Sequence, residues 1–249
     1  MNMRSTVLLC KKRGGETIKL VSKRWIITSS IAMTFALPLI AQSPELQQKL
    51  AAVQESMAAN KMKLQKYQWT ETTQLTLNGD PKPPSQNICR YGPDGQVQKT
   101  LISPPPPPPS GGRLKQRVVA NKTGEMQDYM AGVKSLLALY LPPDPQKMQQ
   151  AFAAGNASLN PANGLVNIIF KNYAQPGDQM TITFDPSSKK VISVNVQTYM
   201  GQPSAVVTLQ VQMSSLPDGK SYAQQTVLNA TAKNLVVTTT NSGYQMIGG

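Results

Sequence analysis

Between Leu165 and Met213, apolar and polar residues alternate in runs separated by turn signals. Met180, Ile182 and Phe184 alternate with Thr181 and Thr183. Ile192, Val194 and Val196 alternate with Ser193, Asn195 and Gln197, and Val207, Leu209, Val211 and Met213 alternate with Thr208, Gln210 and Gln212. Successive strand side chains point to opposite faces, so each run has one apolar and one polar face. The breaks are short: Gln175-Pro-Gly-Asp178, Asp185-Pro-Ser-Ser-Lys189 and Gly201-Gln-Pro203. Parallel strands need a crossover of about a dozen residues, so these strands are antiparallel neighbours. The pattern predicts an antiparallel sheet, apolar on one face and solvated on the other.

The rest of the chain supplies more strands and three helices. Ser43-Pro44-Glu45 is a helix start, with a capping side chain, a proline suited to the first turn and an acid near the positive end. Leu46, Leu50, Val53, Met57 and Leu64 follow at helical spacing, predicting a helix to about Lys63 with its apolar stripe on the sheet. Period two returns at Tyr67, Trp69, Thr73, Leu75 and Leu77. Asn78-Gly79 is a strong hairpin signal. Strands are predicted over Gln86–Tyr91 and Gln96–Ile102, with Gly92-Pro-Asp-Gly95 between them. Pro104–Pro109 cannot donate to a ladder and predicts an extended surface arm within the loop 104–112. Leu114–Ala120 reads as a short strand or extended approach. A helix is predicted over Thr123–Tyr140, with Met126, Met130, Val133, Leu137 and Tyr140 on one stripe, and another over 145–154. After the alternating ladder, strands are predicted over Tyr222–Ala232 and Leu235–Thr240. Strands in runs around a helical block imply an α+β fold: one curved antiparallel sheet with helices on its concave face.

Charge and cysteine count narrow the class. The 249 residues carry 25 Lys/Arg, 12 Asp/Glu and no His. Lys11, Lys12, Arg13, Lys19, Lys23 and Arg24 precede an apolar run from Trp25 to Ile40, closed by Ala41. That is the layout of a secretory signal over residues 1–41. The alternative is an uncleaved membrane anchor over 25–40. Residues 1–41 hold seven of the Lys/Arg and one of the Asp/Glu, so residues 42–249 keep 18 and 11, a net charge of +7. They form a single domain on this reading, exported to the periplasm and monomeric. Cys89 is their one cysteine, which excludes an internal disulfide. It reads as a buried apolar filler, the alternative being a thiol that pairs with another molecule.

The absence of His removes the commonest general base and zinc ligand. No phosphate-cradle motif and no calcium loop occur, so no cofactor, no metal and no catalytic residue is expected. Asp80, Asp94, Asp178, Asp185 and Asp218 fall in predicted turns, where Asp serves its own backbone. Basic residues lack interleaved aromatics, so nucleic acid is not an expected partner. Glu71 is out of pattern, because it shares the apolar parity of Tyr67 and Trp69. A buried carboxylate needs a partner or takes up a proton. It anchors a ligand's polar group, pairs with Arg90, Arg113 or Arg117, or is turned outward by a bulge. Methionine and aromatics crowd the apolar face, and methionine suits a pocket for flexible chains. Covered loosely by the Thr123–Tyr140 helix, a curved sheet would enclose a cavity.

The signal-like leader, the first helix, the Tyr67-x-Trp69-x-Glu71 strand, the mid-chain helices and a meander carrying Phe184-Asp-Pro186 and Leu216-Pro-Asp-Gly219 resemble the periplasmic LolA/LolB/RseB-like, outer-membrane lipoprotein-sorting-like group. The likeness spans most of residues 43–247. It implies an incomplete, unclosed β-barrel with a helical lid. In that family the hollow binds acyl chains of lipids or lipoproteins. No position here matches the family's signature arginine, and the proline arm lies outside its usual pattern. The expected cavity lining is Tyr67, Trp69, Glu71, Phe170, Met180, Phe184, Val194 and Leu209 from the sheet, with Val133 and Leu137 from the helix. A membrane-associated protein partner is the accompanying expectation. A structural or sensory envelope protein with a solid core is the alternative.

Overall fold

The computed structural model describes residues 44–104 and 113–247; the predicted signal over 1–41 and nearly all of the proline arm lie outside them. Helix α1 (Pro44–Leu64) opens on proline and carries Glu45 in its first turn. Its Leu46, Leu50, Val53 and Leu64 are buried, as the periodicity predicts. Strand β1 (Tyr67–Leu77) alternates buried and half-buried positions from Tyr67 to Glu71. It then turns through Asn78 and Gly79, both at positive φ. That is the backbone of the tight hairpin turn the Asn-Gly pair predicts. A two-residue strand β2 (Asp80–Pro81) pairs back onto β1, followed by β3 (Ser85–Tyr91) and β4 (Val97–Leu101).

Helix α2 (Arg113–Leu137) starts ten residues before the predicted start at Thr123. The segment 114–120, expected as a strand, is its N-terminal part. Leu, Lys, Gln, Arg and Ala there are strong helix formers, and that local preference overrides the two-residue spacing of Arg113, Lys115 and Arg117. Tyr140 falls in the turn beyond the helix. Asp144 caps α3 (Pro145–Ala153), accepting from the Gln146 amide at 2.8 Å.

The remaining strands are β5 (Ala157–Ala162), β6 (Leu165–Lys171), β7 (Gln179–Asp185), β8 (Lys190–Tyr199), β9 (Val206–Ser215), β10 (Ser221–Ala230) and β11 (Leu235–Met246). β5 alternates only over residues 157–160 and contains Pro161. It is tolerated because it is an edge strand, where one row of amides needs no partner. The predicted strand over Tyr222–Ala232 is shorter: it ends at Ala230, and Thr231–Lys233 form a single 3₁₀ turn. β11 runs past the predicted Thr240, because a bulge opposite Trp69 and a positive φ at Gly243 carry its pairing on to Met246.

The sheet is one antiparallel layer of eleven strands in the order β4-β3-β1-β11-β10-β9-β8-β7-β6-β5, with β2 beside β1. β4 and β5 are free edges, so the barrel is not closed. The chain's two ends of strand structure meet where β1 pairs with β11, which puts Tyr67 beside Met246. The helices take one face. Leu50 and Val53 of α1, Val133 of α2 and Met148 and Phe152 of α3 join Ile168, Phe170, Met180, Ile182 and Phe184 in one core.

Candidate functional site

The expected cavity residues separate into two groups on the inner face. Phe170, Met180, Phe184, Val194 and Leu209 from the sheet and Val133 from α2 belong to the same buried cluster, with Leu137 packed on its rim. Tyr67, Trp69 and Glu71 are buried too, but stand outside that cluster.

The first group is closed by α1 and α3. α2 crosses its open end, placed there by two contacts of its own and one of the turn that follows it. The Lys233 ammonium lies 5.8 Å from the Tyr129 ring, Gly132 lies against the Met200 sulfur, and the Tyr140 hydroxyl donates to Asp178 at 2.5 Å. All three partners follow strand ends on the same side of the sheet.

Asp178 is the fixed point of this end. One carboxylate oxygen accepts the Tyr173 amide at 2.5 Å; the other accepts the amides of Ala174 at 2.9 Å and Gln175 at 2.8 Å. The Tyr140 hydroxyl also lies 2.7 Å from Thr198 Oγ1. Burial, and next the bond to Asp178, push the Tyr140 phenol far above its usual value. Burial likewise lifts Tyr173, to about 12. Both phenols therefore stay neutral donors at any ordinary pH. Asp94, Asp185 and Asp218 behave as turn aspartates, accepting the amides of Gln96, Ser187 and Lys220, whereas Asp80 pairs with the exposed Lys82 ammonium instead.

The middle of α2 fits less completely. Met126, Tyr129 and Met130 are only partly buried against the core. The Tyr129 hydroxyl is enclosed yet has no hydrogen-bond partner. An unmade buried hydrogen bond costs about 1–3 kcal/mol.

The second group is an aromatic wall on β1, β3, β10 and β11. Trp69 stacks on Tyr244 with ring centroids 5.4 Å apart, and Tyr91, Tyr222 and Tyr67 tilt around these two rings. The Trp69 indole donates to Asn241 at 3.1 Å, and Asn241 donates to the Ala223 carbonyl at 2.8 Å. Glu71 does point inward, and its partner is Lys99 on β4, whose ammonium reaches its two oxygens at 2.6 and 2.7 Å. Arg90, one of the partners expected from sequence, sits on the outer face, because its neighbour Cys89 faces inward. Arg113 and Arg117 lie among the undescribed side chains. Cys89 is fully buried beside this pair. Burial pushes its thiol up, Glu71 adds to the effect and Lys99 offsets part of it. A raised thiol is a poor nucleophile.

Beyond Glu71 the wall runs out uncovered. Val97 and Leu101 share the inward parity of Lys99 on β4, yet are 40% and 55% exposed. Ile102 just past the strand is 49% exposed. Lys99, Tyr91, Tyr222 and Tyr244 were not expected at the site. Strand parity carried the signal for Tyr91 and Lys99, since pairing Trp69 with Cys89 and Cys89 with Lys99 sets both on the inner face.

Among the described residues no group of three or more His, Cys, Asp or Glu could hold a metal ion, and no helix is long and apolar enough to cross a membrane.

No protein family and no curated protein matches the chain. Solved structures are similar to it in fold. A DUF1329 family protein from Desulfovibrio piger aligns at TM-score 0.41 with 7% identity, over 82% of this chain and 94% of that chain. A protein domain described as outer membrane lipoprotein-sorting, from Vibrio parahaemolyticus, aligns at TM-score 0.41 with 10% identity over the same shares, 82% and 94%. A LolA superfamily protein from Nitrosomonas europaea aligns at TM-score 0.34 with 7% identity, again over 82% and 94%. At such identities the likeness concerns the path of the chain and assigns neither a residue nor a ligand.

Proposed function

We propose that residues 42–249 act as one exported, periplasmic, non-catalytic binding domain. It holds an acyl chain of a lipid or lipoprotein between the inner face of the sheet and α2. The observation that carries this reading is the seam under α2, where Met126, Tyr129 and Met130 are half-buried and the enclosed Tyr129 hydroxyl lacks a partner. Methionines and a rotatable α2 could accept a flexible chain there. Val133 and Leu137 would flank the chain on the helix side. Phe170, Met180, Phe184, Val194 and Leu209 would form its wall, and Tyr67, Trp69 and Glu71 would line its way to the uncovered strip at Val97 and Leu101.

A second reading has an observation of its own. Phe170, Met180 and Phe184 are sealed by α1 and α3, which favours a solid core and a protein that works through its surface.

Native mass spectrometry of the purified chain, prepared without detergent, separates the two. The carrier reading expects lipid-sized mass increments, and an apolar fluorescent dye that displaces them. It also expects Met130→Trp, which fills the seam, to abolish dye binding without lowering Tm. A chain free of adducts that leaves the dye dark supports the solid-core reading instead.

A further inference from the structure

The outer face of the sheet bears a feature that acyl-chain binding does not use. Strand pairing sets Thr183, Ser193, Gln212, Gln225, Thr240 and Thr72 directly opposite one another in a single row. Asn167 continues the row at one end and Gln86 at the other, so it crosses eight strands. At about 4.8 Å between strands, that is a track of about 34 Å. Thr183 donates to Asn167 at 2.8 Å and Gln86 to Thr72 at 3.3 Å, which orders both ends. A second row beside it places Asn195, Gln210, Val227 and Thr238 opposite one another. Neither row holds a single charged residue, in a chain of formal net charge +13.

Where the two rows cross β8, β9 and β10 they border a groove of about 270 Å³, lined by Ser193, Asn195, Gln210, Gln212, Gln225 and Val227, with Val211 at its floor. A bulge between Ala223 and Gln225 sets the Gln225 side chain there. Bulges re-aim side chains in this way. Among the described residues, Gln210 and Gln225 make no side-chain hydrogen bond, while Gln212 and Asn195 are held there only by contacts of 3.4 Å. Each free amide offers one acceptor and two donors.

We propose that this face binds a neutral, linear oligosaccharide. A carboxamide presents a donor and an acceptor side by side, which matches two neighbouring sugar hydroxyls. Val227 supplies an apolar patch for a ring's C–H face. The groove is at the small end of ligand sites, about 300–1,000 Å³. It therefore takes one ring of a chain whose other rings lie along the rows. An anionic polymer gains little along these rows, because neither row itself presents a cation. A peptide strand would seek a sheet edge rather than a face.

The test is amide NMR of the purified, ¹⁵N-labelled chain titrated with cellohexaose and with chitohexaose. The expected result is saturable shifts of the side-chain amides of Gln210, Gln212 and Gln225 with at least one of these sugars. Gln210→Ala combined with Gln225→Ala weakens that sugar about tenfold, with Tm and circular dichroism unchanged. The proposal is overturned if neither sugar moves these amides up to its solubility limit. It is equally overturned if an uncharged Gly-Ser peptide moves them as strongly, or if the double variant binds as the parent does. Lipid adducts under α2 do not bear on any of these outcomes, so this inference and the acyl-chain reading fail separately.

Discussion

The two ends of the inner face are built from the same alternating strands, yet they are finished differently. On β6 to β9 the inward residues are mainly aliphatic, methionine or phenyl, with Thr198 the buried polar exception, and most of them are sealed beneath the helices. On β1, β3, β4 and β11 the inward residues include Tyr67, Trp69, Glu71, Tyr91, Lys99, Asn241 and Tyr244 alongside the apolar ones, and β4 carries Val97 and Leu101 into solvent. The difference lies in cover. α1 rests mainly on β8 and meets the start of β10 only through Asn60, and α3 rests on β5 and β6, so β1, β3 and β4 get little helical cover from either. A face that stays partly open needs residues that tolerate water at one end. Tyrosine, tryptophan and a neutralised Glu71–Lys99 pair meet that need.

Five substitutions would break or sharpen this contrast. The largest loss is expected for Phe170→Ala in the sealed end, about 3–5 kcal/mol in denaturant unfolding. A loss below about 1 kcal/mol would mean that the sealed end can collapse and is not close-packed. Asp178→Ala follows at about 3 kcal/mol, because it leaves three amides and the Tyr140 hydroxyl without their charged acceptor. Hydrogen exchange should quicken first at Tyr173, Ala174 and Gln175.

In the open end the effects are small. Glu71→Gln should cost less than about 1 kcal/mol, since the side chain of Lys99 is 48% exposed and solvent screens the pair. A larger loss would show that the open end is as dry as the sealed one. Leu101→Lys should leave unfolding within about 0.5 kcal/mol, while weakening apolar dye binding if acyl chains reach the strip.

The smallest expected effect concerns pH. The Lys220 ammonium first, and the Tyr67 hydroxyl second, hold the Asp218 carboxyl at about 2. Its folded value lies below the ordinary carboxylate value of about 3.9, so its contribution is present above that pH and disappears as the pH falls toward 2. Tyr67→Phe removes one donor and raises the Asp218 value by less than about one unit, read by carboxyl ¹³C titration.

Much of this arrangement was legible along the chain. Alternation located β6 to β9 and the inward parity of Glu71, and Leu46, Leu50 and Val53 announced the buried stripe of α1. Asp94, Asp178, Asp185 and Asp218 also accept backbone amides as turn aspartates do, while Asp80 does not. Other parts were not legible, for physical reasons. Pro161 cuts the alternation of β5 short after Ala157 and Leu159, and an edge strand held by one neighbour needs no more. The start of α2 was hidden by basic residues whose spacing imitates a strand. Lys99 could not be singled out as the partner of Glu71, since the two meet only across β3, two strand pairings away.

What the sequence determined by itself is the local periodicity and the class: antiparallel strands with two unlike faces, a helical block between them, and no histidine for acid–base work. Those follow from side-chain alternation and composition, which need no neighbours. Tertiary structure decided which end of the sheet the helices seal and which they leave open. It also decided which residues line up across strands on the outer face. Both depend on register and on helix placement, and these are set by contacts between residues as much as 179 positions apart, as between Tyr67 and Met246. No pattern within a single strand encodes them.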